Sequence, residues 1–152
     1  MANTKPIGVA YADQDITGAD TVTATTIGAT TFTANTVYAI TELGYTSAAQ
    51  GTVTQATSKS TGVTLNASMG RITMNNAALA GSTAVSFTLT NSLISVKDVL
   101  IVNVSDVGTA AAYTVYISSL AAGSAVVTLR NMTTATSLSE AVVINFAVIH
   151  GQ

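Results

Sequence analysis

The chain has 152 residues, enough for one ordinary domain with a short appendage. Charged residues are only 8% of the total, against roughly 25% in ordinary soluble domains; the net charge is −2, and 48% of residues are hydrophobic with no Trp or Cys. These values exclude a disordered polyelectrolyte, a basic surface for nucleic acid or anionic lipid, and any disulfide, thiolate metal site or catalytic cysteine.

In chain order, residues 1–15 form a mixed polar leader whose Pro6 and Gly8 disfavour regular structure, so an extended segment is expected. It lacks the continuous apolar run of a signal peptide. The longest apolar stretches, 99–102 and 141–149, have strand length, far short of the roughly 20 residues of a membrane helix.

Residues 16–40 carry a repeat of period five. It runs TVTAT, TIGAT, TFTAN, TVYAI over 21–40, after a degenerate copy ITGAD at 16–20. Thr opens each good copy, Val22, Ile27, Phe32 or Val37 follows, and Ala holds the fourth place. An odd period sends successive apolar residues to opposite faces of a strand. On a helix it forms no stripe, and the density of Thr argues against helix. One strand cannot bury this pattern alone. The repeat differs from pentapeptide-repeat solenoids, which place Ala two residues before the central apolar residue; here Ala29 lies three before Phe32. A solvated Thr/Ala linker would have no use for regularly spaced apolar residues. An arm or stalk covered by other chains is the expected form, with Val22, Ile27, Phe32 and Val37 as candidate intersubunit or anchoring residues.

From residue 51 onward the pattern changes to strands, predicted at 51–56, 62–65, 71–74, 84–90, 99–104, 112–117, 125–131 and 141–149. Val85, Phe87 and Leu89 alternate with Ser86, Thr88 and Thr90, and Tyr113, Val115 and Ile117 with Thr114, Tyr116 and Ser118. Turn residues separate the runs at Asn75-Asn76, Gly81-Ser82, Asp106 to Gly108 and Gly123-Ser124. The expected fold is all-β: an extended arm over 1–50, then an antiparallel, jelly-roll-like β-sandwich over 51–152. One helical turn is expected at 138–141.

Chemistry-bearing residues are sparse. The only histidine, His150, sits two residues from the end, a poor place for a positioned imidazole. Asp13, Asp15, Asp20, Glu42, Asp98, Asp106 and Glu140 show no spacing that indicates acid–base pairing, and solvated or locally capping roles are expected for each. Asp13 to Gly18 resembles the opening of a calcium loop, but its twelfth position would be Ala24 instead of Glu. No phosphate-binding glycine loop occurs, and Lys5, Lys59, Arg71, Lys97 and Arg130 are scattered. Sequons at Asn66, Asn103 and Asn131 are expected by chance in so Ser/Thr-rich a chain. No catalytic, cofactor-binding or metal-ligating residues are assigned, and no enzyme activity is expected.

The leader MANTKPIGVAYADQDITGA, the Thr-apolar-x-Ala repeats and the stretch RITMNNAALAGSTAVSFTLTNSLI, with DVLIVNVSDVG, AYTVYI and SEAVVINFAVIHG after it, resemble bacteriophage virion structural proteins. The resemblance is to capsid decoration (cement) or head-fibre proteins of phages of marine bacteria and cyanobacteria. It implies a location on the virion's capsid surface, the major capsid protein as partner, a homotrimer, and an N-terminal arm that anchors a projecting β-domain. A tail-fibre or adhesin module binding a host carbohydrate is the alternative, weakened by the scarcity of exposed aromatics.

Overall fold

The computed structural model describes residues 28–29 and 31–151. The chain divides between Ile40 and Thr41, ahead of the boundary expected at Gly51. Residues 28–29 and 31–40 contain no helix or strand.

Beyond Thr41, a single 3-10 turn, Ser47–Ala49, leads into eight strands. These are β1 (Gln50–Thr54), β2 (Val63–Thr64), β3 (Met69–Thr73), β4 (Ala84–Thr90), β5 (Val99–Asp106), β6 (Tyr113–Ala121), β7 (Ser124–Asn131) and β8 (Val143–Ile149). Each coincides with a predicted run. No α-helix occurs among the described residues. In place of the helical turn expected at 138–141, Leu138 exchanges both main-chain hydrogen bonds with Leu79 in an isolated antiparallel bridge.

The strands form two four-stranded sheets, ordered β1-β3-β8-β5 (sheet A) and β2-β4-β7-β6 (sheet B). Both are mixed, which corrects the antiparallel expectation: β1 pairs with β3, and β2 with β4, in parallel. The reason is the path of the chain. β1, β2, β3 and β4 alternate between sheets, so same-sheet partners are joined by a crossover through the other sheet and run in the same direction. Strands joined by a tight turn pair antiparallel, as in β6–β7, where Gly123 takes the left-handed φ of 76° that the two-residue loop requires.

The inner faces of the two sheets share one core. Ile72, Ile144, Phe146 and Val148 of sheet A meet Phe87, Leu89, Val127 and Leu129 of sheet B, all essentially buried. Gly70 lies directly opposite Phe146 in the ladder, and a Cβ there would overlap both the Phe146 ring and Leu65. The glycine is therefore the space the aromatic ring occupies. Side-chain amides tie the loops at the ends. Asn91 donates to the Ala67 carbonyl, and Asn131 to those of Leu79 and Thr136, and each accepts a main-chain N–H two residues on. Both amides are fully buried and satisfied, so the sequon at Asn131 is a structural knot closed to modification.

Candidate interaction surface

Alternation along sheet A decides which groups meet solvent. Phe146 and Val148 of β8 point into the core, so Asn145, Ala147 and Ile149 point out. Their cross-strand partners on β5 are Asn103, Ile101 and Val99. Val99 is 59% exposed, and Ile101 and Ile149 are each 51% exposed. Three large aliphatic side chains thus stand together on one outer face. Leu43 and Tyr45 join them, forming with Gly44, Ile101, Ala147 and Ile149 a shallow apolar groove. Tyr45, expected in the arm, belongs to this face: its Oη donates to the Val148 carbonyl of β8. Next to the groove, Gln50, Thr52, Met69, Arg71 and Asn145 line a more polar depression.

The margin of this face is an open strand edge. The Val148 N–H bonds the Ser68 carbonyl on the β3 side of β8. By alternation, the main-chain groups of Ala147 and Ile149 turn toward β5, where Ile101 and Val99 meet them. The N–H and C=O groups of Leu100, Val102 and Val104 therefore point away from the sheet. Among the described residues, only the Asn103 amide reaches one of them, the Val104 carbonyl, at 3.4 Å. The register stays regular until it shifts after Val104, and residues 99–104 carry no charge, Pro or Lys to guard the edge.

One end of the face is fastened by the chain terminus. Asp98, expected to be solvated or locally capping, is buried and accepts from the local Ser95 as well as from residues beyond β8. It accepts from Ser95 N–H and Oγ at 2.8 Å, from Gly151 N–H at 3.1 Å and from His150 Nδ1 at 3.1 Å. These donors, the Ser95 main chain foremost, hold its carboxyl down at about 2 against the opposing effect of burial. His150 is half-exposed, as its terminal position suggested, yet it is part of this clasp.

A second polar cluster lies inside the two-sheet domain. Lys59 is buried, with its ammonium donating to the main-chain carbonyls of Asn75 and Glu140. Burial lowers its pKa, and the Glu140 charge partly opposes that shift. Glu140, expected to be solvated or locally capping, instead reaches a remote segment: its Oε1 accepts from Thr109 Oγ1 at 2.6 Å, and its Oε2 is buried without a partner. The Tyr113 phenol, also buried without a partner of normal geometry, is pushed up to about 12 by burial first and Glu140 second. Lys59 spends its hydrogen bonds on main-chain carbonyls, which makes the cluster a tie between the β1–β2 loop and the segment entering β8.

Of the predicted anchoring residues, Val22 and Ile27 lie outside the described residues, as do Asp13, Asp15 and Thr17 of the calcium-like loop. Phe32 and Val37 are described, and both are well exposed. Among the described residues no group of three His, Asp or Glu side chains converges. Sequence reasoning missed the face of Val99, Ile101 and Ile149. The available signal was the unbroken run Val99-Leu100-Ile101-Val102, which makes both faces of the strand apolar. Comparison with known proteins finds no matching family model, no matching curated protein and no matching solved structure.

Proposed function

We propose that the chain is a non-enzymatic virion structural protein that coats a phage capsid, as a decoration protein or head fibre. In this reading the two-sheet domain is a jelly-roll-like sandwich displayed outward, and residues 1–50 are the pentad-repeat arm that engages the major capsid protein or neighbouring copies. The observation that carries it is the bare aliphatic face of Val99, Ile101 and Ile149 beside an unpaired strand edge. A surface of that kind gains free energy by being covered, and repeated assembly on a lattice covers it. The low charge and the exposed Phe32 and Val37 support the same reading, as does the resemblance to capsid decoration proteins. Association as a homotrimer fits an apolar repeat that no single strand can bury.

Counting copies in purified particles tests the proposal. A number on the order of hundreds per particle is expected, and absence from particles overturns it. The alternative, a tail-fibre or adhesin tip, has one observation in its favour. Tyr116 on the outer face of sheet B is half-exposed beside the hydroxyls of Thr128 and Ser118. An aromatic ring among hydroxyls suits the stacking and hydrogen bonding of a sugar. Glycan binding abolished by Tyr116→Ala, together with only a few copies per particle, would favour that alternative.

A further inference from the structure

We propose that the open edge of β5 accepts residues 31–40 of a second copy as an added strand, an inference that rests on the self-association part of the proposed function. The edge defines the chemistry of its partner. Main-chain N–H and C=O groups at Leu100, Val102 and Val104 point out of the sheet in strand spacing, and only another extended chain matches them. The side chains beside that edge define the partner further. Val99 and Ile101 stand exposed on the outer face next to Ile149, so the added strand must present apolar side chains to that face.

Residues 31–40 meet both requirements. The segment TFTANTVYAI is uncharged, lacks Pro, and is rich in β-branched and aromatic residues. Extended, it places Phe32, Ala34, Tyr38 and Ile40 on one face and Val37 with Ala39 on the other. Phe32 is 65% exposed, Tyr38 90% and Ile40 fully exposed, so these side chains are bare within the single chain. Two bare apolar sets, one on a strand edge and one on a strand-like segment, complement each other.

A second copy is the donor because the odd period leaves apolar residues on both faces of the segment, a pattern one strand cannot bury alone. Passing the segment from each copy to the next gives a heterologous contact, which closes as a ring such as a trimer.

The test uses the full chain. In Val102→Pro the lost N–H points away from β8, so the ladder through Val99, Ile101 and Asn103 is kept while the added strand loses a donor. Light scattering should show the wild-type oligomer and a monomeric variant with unchanged β-type circular dichroism. In parallel, the cysteine-free chain allows single-thiol variants. Differently tagged Tyr38→Cys and Ile101→Cys chains, mixed and treated with a short thiol cross-linker, should join as a heterodimer. This decides the matter even if Val102→Pro does not fold. An oligomer that persists in a folded Val102→Pro, with no Tyr38→Cys to Ile101→Cys link, overturns the edge assignment and leaves self-association standing. A link formed only within one chain carrying both cysteines overturns the exchange between copies. A monomeric wild type overturns both this inference and the self-association reading.

Discussion

Thr128 on sheet B and Ile101 on sheet A both point outward, yet the polar residue is covered and the apolar one is bare. Thr128 is only 3% exposed because its hydroxyl sits between Ser86 Oγ and Ser118 Oγ, each 2.8 Å away. The three hydroxyls form a row across β4, β7 and β6, satisfied within the sheet. The open edge of sheet B is also guarded: a register shift between Ile117 and Ser119 breaks β6, and Ser118 turns its hydroxyl to the Val126 carbonyl. Sheet A has no such row at its apolar end and no break in β5 before Val104. The contrast shows that one face is finished by its own side chains, whereas the other is left bare.

The largest expected effect is on association. Replacing Ile101 and Ile149 together by Asp should weaken self-association by at least roughly 100-fold, since burying two aliphatic side chains is worth several kcal/mol and buried carboxylates would add a cost. Replacing Thr88 and Tyr116 on sheet B by Asp should leave the oligomer intact. Sedimentation of the two variants reads the difference directly.

Next in size, Phe146→Ala should cost about 3–5 kcal/mol in chemical unfolding, because Gly70 opposite offers no side chain to fill the cavity. Both faces should then melt in one transition, since the two sheets share a core. Thr128→Val should cost about 1 kcal/mol, as Ser86 and Ser118 lose their common partner but can turn to water. A change above about 3 kcal/mol would mean that the hydroxyl row holds the sheet together and does more than finish its surface.

Acid separates the two faces in another way. The Asp98 carboxyl lies well below its unfolded value, so its contribution is fully present above the ordinary carboxylate range near pH 4. It is lost as pH falls toward about 2. Because Asp98 binds Gly151 and His150, acid should release the chain terminus that follows β8. Asp98→Asn should remove most of this acid sensitivity, measured as the slope of melting temperature against pH between 4 and 2.

All eight strands were legible because alternation, short apolar runs and turn residues are local signals; 84–90 is β4 to the residue. Pairing direction was not, because the parallel contacts of β1 with β3 depend on a crossover that no single segment encodes. The turn signal at 138–141 lost to a partner 59 residues away in sequence, Leu79. The burial of Lys59 and Asp98 was not legible for the same reason. The acceptors of Lys59 come from Asn75 and Glu140 and two donors to Asp98 from His150 and Gly151, remote segments that only the fold assembles, whereas the Ser95 donors are local. The apolar face lay in plain view as Val99-Leu100-Ile101-Val102, yet composition alone cannot distinguish a central strand buried on both faces from an edge strand with one face bare.

Hydrogen exchange on the assembled and the dissociated protein tests the central claim, that sheet A is completed by association and sheet B is complete already. The amides of Leu100, Val102 and Val104, which face away from β8, should exchange readily in dilute monomer and become strongly protected on assembly, with the β6 edge unchanged. Equal exchange of those three amides in both states, or new protection confined to β6, would contradict it.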